Sequence, residues 1–250
     1  MSENLRNIKI TVQYDGTDYH GWQIQNGLRT IQGELSRALT TIDGRPVMVH
    51  GSGRTDAGVH AIGQVASFKF AHPHSTERLL MAINGNLPPD IRVIEAMEVP
   101  DNFHARFSAK SKMYRYRIFT GRVLNPMLYR FVHQTNYSLD FDVLRAVARE
   151  FVGEHDFRSF TVTPEKEIDT RRCLTDFYVD YDEEVNILSF EISANGFLRY
   201  MVRAIVGTLI DIGRGHIPAD SVPKIFAANN RTAAGTSLPA KGLTLVNVDY

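Results

Sequence analysis

Hydrophobic positions along the 250-residue chain recur in two successive β-α-β-β-α-β patterns. Ile8, Ile10, Val12 and Tyr14 alternate with polar neighbours, the two-residue period of a half-buried strand. Asp15-Gly16 ends that run as a turn. Ile31, Leu35, Ala38, Leu39 and Ile42 then follow helical spacing, with Thr30 as the predicted N-cap and Gly44 as the stop. Pro46 to His50 predicts a strand, and a glycine-rich segment, Gly51 to Gly63, leads into another at Gln64 to Phe70. Ser75 is placed to cap a helix carrying Leu79, Leu80, Ile83 and Leu87, which Pro88-Pro89 terminates. Ile91 to Val99 completes the first pattern as a strand.

The second half has the same outline. Met113 to Phe119 alternates, and Asp140 can cap a helix with Val143, Leu144, Val147 and Phe151 that closes at Gly153. Arg172 to Tyr181 and Asn186 to Ser193 predict a hairpin around Asp182-Glu183-Glu184. Phe197 to Ile212 predicts a long apolar-faced helix, Val222 to Ala228 a short one, and Leu243 to Asp249 a final strand. The fold class expected is α+β, with two ferredoxin-like (RRM-like) domains, residues 1–103 and 104–250. The mixed element order argues against a Rossmann fold.

Composition narrows the class. Twenty-eight basic side chains balance 28 acidic ones, and 43% of residues are hydrophobic, which excludes a chain that is disordered as its main state. One cysteine, Cys173, excludes an internal disulfide and argues against a cysteine-rich metal site. No apolar run approaches the ~20 residues of a membrane span. Met1 to Lys9 has no apolar core resembling a signal peptide, so a cytoplasmic protein is expected.

Global neutrality hides a local imbalance. Between Asp101 and Asp140 there is no acidic residue, while Arg106, Lys110, Lys112, Arg115, Arg117, Arg122 and Arg130 alternate with aromatic residues. Arginine grips phosphate through its planar fork and stacks on bases, so the stretch suits a polyanion. Equally, it suits a solvated strand face whose acidic partners come from elsewhere in the fold.

The most unusual segment is Gly51-Ser52-Gly53-Arg54-Thr55-Asp56-Ala57-Gly58-Val59-His60. It lacks the Gly-Lys-Ser/Thr ending of a phosphate-binding P-loop. No second carboxylate lies nearby, so a glycosidase-like acid/base pair is not signalled. His60, His72 and His74 lack the spacing and partners of a metal site, and no metal is expected. Asp56 is compatible with two roles. It can shape a turn by accepting backbone hydrogen bonds, or it can serve as an ionised nucleophile beside Arg54.

Gly53 to His60 resembles the signature of TruA-type tRNA pseudouridine synthases. Four further segments resemble that family in order. They are Tyr14-Asp15-Gly16 with Tyr19-His20-Gly21-Trp22-Gln23, Asn102 to Ala109, Tyr114-Arg115-Tyr116, and Asn195-Gly196-Phe197 with Met201-Val202-Arg203 and Val206-Gly207. The resemblance implies an isomerase acting on uridines 38, 39 and 40 of the tRNA anticodon stem-loop. It implies a cleft between two domains and a homodimer, with one tRNA reaching across both subunits, and no cofactor. Asp56 becomes the nucleophile. Tyr114 stacks on the base or exchanges a proton with it, Arg203 pairs with Asp56, and Arg54 helps hold the target base out of its stack. Arg106, Lys110, Lys112 and Arg115 become phosphate contacts, with alternate strand positions facing opposite sides. His60 is expected to shape the loop. Two rival classes remain at this level: a non-catalytic RNA-binding protein of paired RRM-like units, and a hydrolase that cleaves a nucleoside with Asp56.

Overall fold

A computed structural model describes residues 5–162 and 169–250. The chain forms two compact units, Met1–Lys110 with Leu245–Tyr250, and Ser111–Thr244. It is an α+β protein with mostly antiparallel strands.

In the first unit, β1 (Arg6–Tyr14) pairs antiparallel with β3 (His60–Phe70) on one side and β4 (Ile91–Val99) on the other. The last strand, β10 (Leu243–Asp249), lies beyond β3, and the two-residue β2 (His50–Gly51) also pairs with β3. The alternation read from the sequence sets the buried face: Ile8, Ile10, Val12 and Tyr14 are all buried. Helices α1 (Ile31–Asp43) and α2 (Thr76–Asn86) pack against each other and bury Leu35, Leu39, Leu79 and Ile83. Their starts are fixed by the expected caps. Thr30 Oγ1 accepts the Gly33 N–H, and Ser75 Oγ accepts that of Arg78. Gly44 ends α1 in the left-handed conformation, at φ 73°.

In the second unit, β5 (Ser111–Phe119), β9 (Ile187–Ala194), β8 (Arg171–Asp182) and β7 (Gly153–Asp156) lie side by side in that order. The short β6 (His133–Gln134) runs parallel to β5. Helices α3 (Phe141–Ala148) and α4 (Met201–Gly213) pack together, and α5 (Val222–Ala228) follows. Asp140 caps α3 by accepting the N–H groups of Asp142 and Val143.

Several boundaries differ from the sequence expectation. Pro46 to His50 is not a strand before His50, because side chains of α1 take its backbone groups. The Val47 N–H donates to Thr40 Oγ1, and Gln32 Nε2 donates to the Val49 carbonyl. Helix α4 begins at Met201, not Phe197, because Tyr200 is left-handed at φ 63° and breaks helical continuity. Phe197 instead packs edge-on against Tyr114, with ring centroids 5.0 Å apart. Helix α3 gives way to a tight turn over Arg149–Phe151. Residues 104–110 pack with the first unit: the Ala105 N–H donates to Ser67 Oγ, and Lys110 N–H to the Asp249 carbonyl. The division between units therefore falls at Lys110/Ser111 and not at 103/104, and the chain returns its last six residues to the first unit.

Helix α4 carries one position with no room. A Cβ on Gly207 would lie 1.8 Å from the Thr236 carbonyl oxygen. Gly207→Ala is therefore expected to lower stability by about 2–3 kcal/mol or more through backbone displacement. Thermal unfolding checks this; an unchanged Tm would show that the 236 segment yields without cost.

Candidate active site

The glycine-rich segment after β2 is held from beneath by backbone and buried side chains of the first unit. The Trp22 N–H donates to the Thr55 carbonyl at 3.0 Å, and Gly58 N–H donates to that of Tyr19. Gly21 makes this approach feasible. It is left-handed at φ 86°, and a Cβ there would sit 2.6 Å from the Thr55 oxygen.

A polar network fixes the segment from the strand side. Gln64 on β3 is fully buried and serves three groups: Ser52 Oγ donates to its Oε1 at 2.7 Å, and its Nε2 donates to the Gly53 carbonyl and to the Tyr14 hydroxyl. The Tyr14 hydroxyl in turn bonds Thr55 Oγ1 at 2.8 Å. Burial pushes the Tyr14 phenol up to about 12, against the opposing effect of its bonds to Thr55 and Gln64. Low local polarity makes every member of such a network costly to leave unpaired, which rigidifies the loop.

The C-terminal end is anchored by His60. Its Nδ1 accepts the Gly16 N–H at 3.1 Å and lies 3.2 Å from Asp15 Oδ1. The residue is buried within the loop's foundation, in keeping with a shaping role.

Thr55 is thus fixed, and the residues flanking it are less buried than it is. Asp56 is half-buried, and its carbonyl accepts the Val59 N–H in a tight turn. Arg54 is exposed, with Nε donating to Gln23 Oε1 at 3.1 Å. Gln23 donates to Gln32 Oε1, which ties Arg54 through two amides to α1. The segment therefore offers one carboxylate and one guanidinium on a backbone with little freedom to move.

The other predicted residues lie elsewhere on the chain. Arg106 and Lys110 are exposed in the first unit. On β5, Tyr114 is buried and shares a strand face with Lys112 and Tyr116. Arg115 points to the opposite face and is paired with Glu191 across the strands at 2.6 Å. For that residue the structure shows the acidic strand partner that the charge pattern left open. Arg203 sits in the first turn of α4, partly buried, with Nε donating to the Leu238 carbonyl at 2.6 Å. Its guanidinium lies 4.4 Å from the centre of the Tyr200 ring, and that of Arg199 lies 5.3 Å from the same ring. The two arginines meet around a left-handed tyrosine. Asp211, the helix's own acid, is bonded to Arg214.

Sequence reasoning missed Gln64, Tyr200 and the amide pair Gln23–Gln32. Gln64 carried one signal: a polar residue two positions after Ile62 and just before Val65-Ala66.

A family model described as tRNA pseudouridine synthase matches residues 10–108 and 147–250. The curated tRNA pseudouridine synthase A of Acetivibrio thermocellus is 42% identical over 246 residues, spanning 98% of this chain and 100% of its own. That of Solibacter usitatus is 43% identical over 248 residues, with the same coverage. That of Limosilactobacillus fermentum is 43% identical over 249 residues, spanning 98% of this chain and 96% of its own. A two-unit α+β chain with a rigid Arg-Thr-Asp loop is thus matched over most of its length to enzymes that form pseudouridine. The chain belongs to the tRNA pseudouridine synthase A family. It is an isomerase of tRNA uridine. The family model covers Arg54, Asp56, Arg106 and Arg203, while Lys110, Lys112, Tyr114 and Arg115 lie in the interval it omits. No helix among the described residues is long and apolar enough to cross a membrane.

The raised Tyr14 phenol gives a pH prediction. Its folded value lies above the unfolded value of 10, so its contribution is fully present below pH 10 and is lost as pH rises through about 12. Tyr14→Phe is expected to lower stability at pH 7 by ~1 kcal/mol and to flatten the alkaline loss. Denaturant unfolding at pH 7 and pH 10 to 11 measures both; an identical alkaline slope in the variant would remove Tyr14 as a cause.

Proposed function

We propose that the chain converts uridines at positions 38, 39 and 40 of the tRNA anticodon stem-loop to pseudouridine, with Asp56 as the nucleophile. The observation that carries this reading is the clamped loop. Asp56 and Arg54 flank Thr55, whose carbonyl and hydroxyl are both bonded, within the segment matched by the family model.

The chemistry is balanced without an added reagent. The bond from ribose C1′ to uracil N1 breaks, the base turns, and a bond from C1′ to C5 forms. The proton leaves C5 and one is gained at N1, so substrate and product are isomers and no electrons enter or leave. An ionised carboxylate on a fixed backbone is suited to covalent participation. Arg203 is assigned as the cation that keeps Asp56 ionised, and its bond to Leu238 and contact with Tyr200 limit its rotamers. Tyr114, held edge-on by Phe197, is assigned to stack on uracil or to exchange a proton. Arg54 is assigned to fill the gap left when the target base swings out.

Arg106, Lys110 and Lys112 are assigned to the phosphates. Arg115 retains only a secondary part in this reading, since Glu191 neutralises it. A homodimer that offers two sets of local cations to one tRNA is part of the proposal, and the neutrality of the chain supports it. The compartment proposed is the cytoplasm, where the substrate is found.

The test is pseudouridine formation on an unmodified tRNA anticodon stem-loop, with uridine restricted in turn to positions 38, 39 and 40, without added metal or nucleotide. Wild type is expected to convert each. Asp56→Asn is expected to lose more than roughly 1000-fold in rate while keeping its affinity for the RNA. Arg203→Ala is expected to fall by about 100-fold or more, with only a small change in binding. Release of free uracil would point to a hydrolase, RNA binding without conversion to a binding module, and an active Asp56→Asn to a different nucleophile.

A further inference from the structure

The segment joining the predicted strand at Ile91–Val99 to Ser111 carries aromatic side chains that the catalytic reading does not use. Its backbone is fastened to the first unit. Asn7 Nδ2 donates to the carbonyls of Pro100 and Phe103, and the Tyr250 hydroxyl donates to that of Ala105. Three rings follow one another at the surface, His104 and Phe107 on this segment and His50 on β2. His50 and His104 have centroids 4.8 Å apart, and His104 and Phe107 are 4.5 Å apart. The Arg106 guanidinium lies 5.8 Å from the centre of the Phe107 ring. Phe107 is 78% exposed, and Met48 beside this group is 73% exposed.

Exposed rings at stacking distance, on a backbone already ordered, lose little further entropy when another ring joins them. His104 is uncharged in this arrangement. Its Nδ1 accepts the Arg106 N–H, and burial, reinforced by His50, holds it below the ordinary imidazole range. Beside the rings, His50 and His104 help line a pocket of about 480 Å³. Its cations are already matched: Lys69 is bonded to Asp101 and Arg45 to Asp43. A neutral planar group suits that surface better than a free anion. Residues 102 to 110 include no acidic side chain and expose Arg106 and Lys110, which favours a polyanion over an acidic or neutral protein partner.

We propose that His50, His104 and Phe107, with Arg106, form a stacking site for an unpaired nucleobase of the bound tRNA, distinct from the uridine that is isomerised. The site rests on the tRNA reading above. His50 lies just ahead of the loop that carries Asp56, so one segment serves both. Stacking on a ring ladder is tolerant of base identity, which allows several target positions to be accepted from one enzyme.

Filter binding of an unmodified full-length tRNA transcript over a series of salt concentrations tests this. Phe107→Ala is expected to raise Kd roughly 5- to 100-fold with no change in the slope of log Kd against log salt. Phe107→Tyr is expected to restore affinity, and Arg106→Ala to reduce the slope by about 0.7–0.9. kcat/KM of Phe107→Ala is expected to fall by the same factor as its affinity. An unchanged Kd in a folded Phe107→Ala variant would overturn the site. So would a change in sedimentation from dimer to monomer, which would make Phe107 a subunit contact. Wild type that converts tRNA while Phe107→Ala binds normally would fail this inference alone; wild type that binds no tRNA would fail both readings.

Discussion

The contact on which the rest depends is the seat of Thr55. Its carbonyl accepts from Trp22 N–H, and its hydroxyl bonds Tyr14. Gly21 admits the loop to hydrogen-bond range, and any side chain at that position would push it away. Asp56 inherits its position from that seat. The rigidity comes from a tyrosine and a glutamine buried in the sheet, and the Asp56 carboxylate needs no strain of its own. Preorganisation of this kind reduces the reorganisation a reaction must undergo at its transition state.

The charge distribution follows the same division between scaffold and function. The chain is neutral, and several cations that a sequence count would assign to RNA are matched internally. Arg115 faces Glu191, Lys69 faces Asp101, and Arg45 faces Asp43. Arg54 and Arg106 are arranged differently: each is exposed, one tied to an amide and the other beside a ring. Guanidinium groups held in this way keep donors and a planar face for a nucleic acid.

What could be read in the sequence was local. Thr30, Ser75 and Asp140 were legible as caps because a cap depends on residues two or three positions away. Strand β1 was legible because one face is buried and its apolar residues keep the two-residue period from Ile8 to Tyr14. The start of α4 was not, since the apolar pattern runs back through Leu198 and Phe197. Only the left-handed Tyr200, packed between Arg199 and Arg203, reveals the break. The domain limit was hidden for a related reason. Residues 104–110 look like the lead-in to β5, but Ser67 and Asp249 hold their backbone in the first unit. The Arg-Thr-Asp loop was conspicuous from its glycines, whereas Gln64 beneath it was one polar residue in an apolar run.

The central claim is that the buried network, and not the loop's own sequence, sets the position of Asp56. Single-turnover isomerisation by Gln64→Leu tests it most directly, since that change removes bonds to Ser52, Gly53 and Tyr14 without touching substrate groups. A folded variant is predicted to bind tRNA as wild type does and to react at least ~10-fold more slowly, because a displacement of about 1 Å costs on the order of 100-fold. A wild-type rate in that variant would contradict the account.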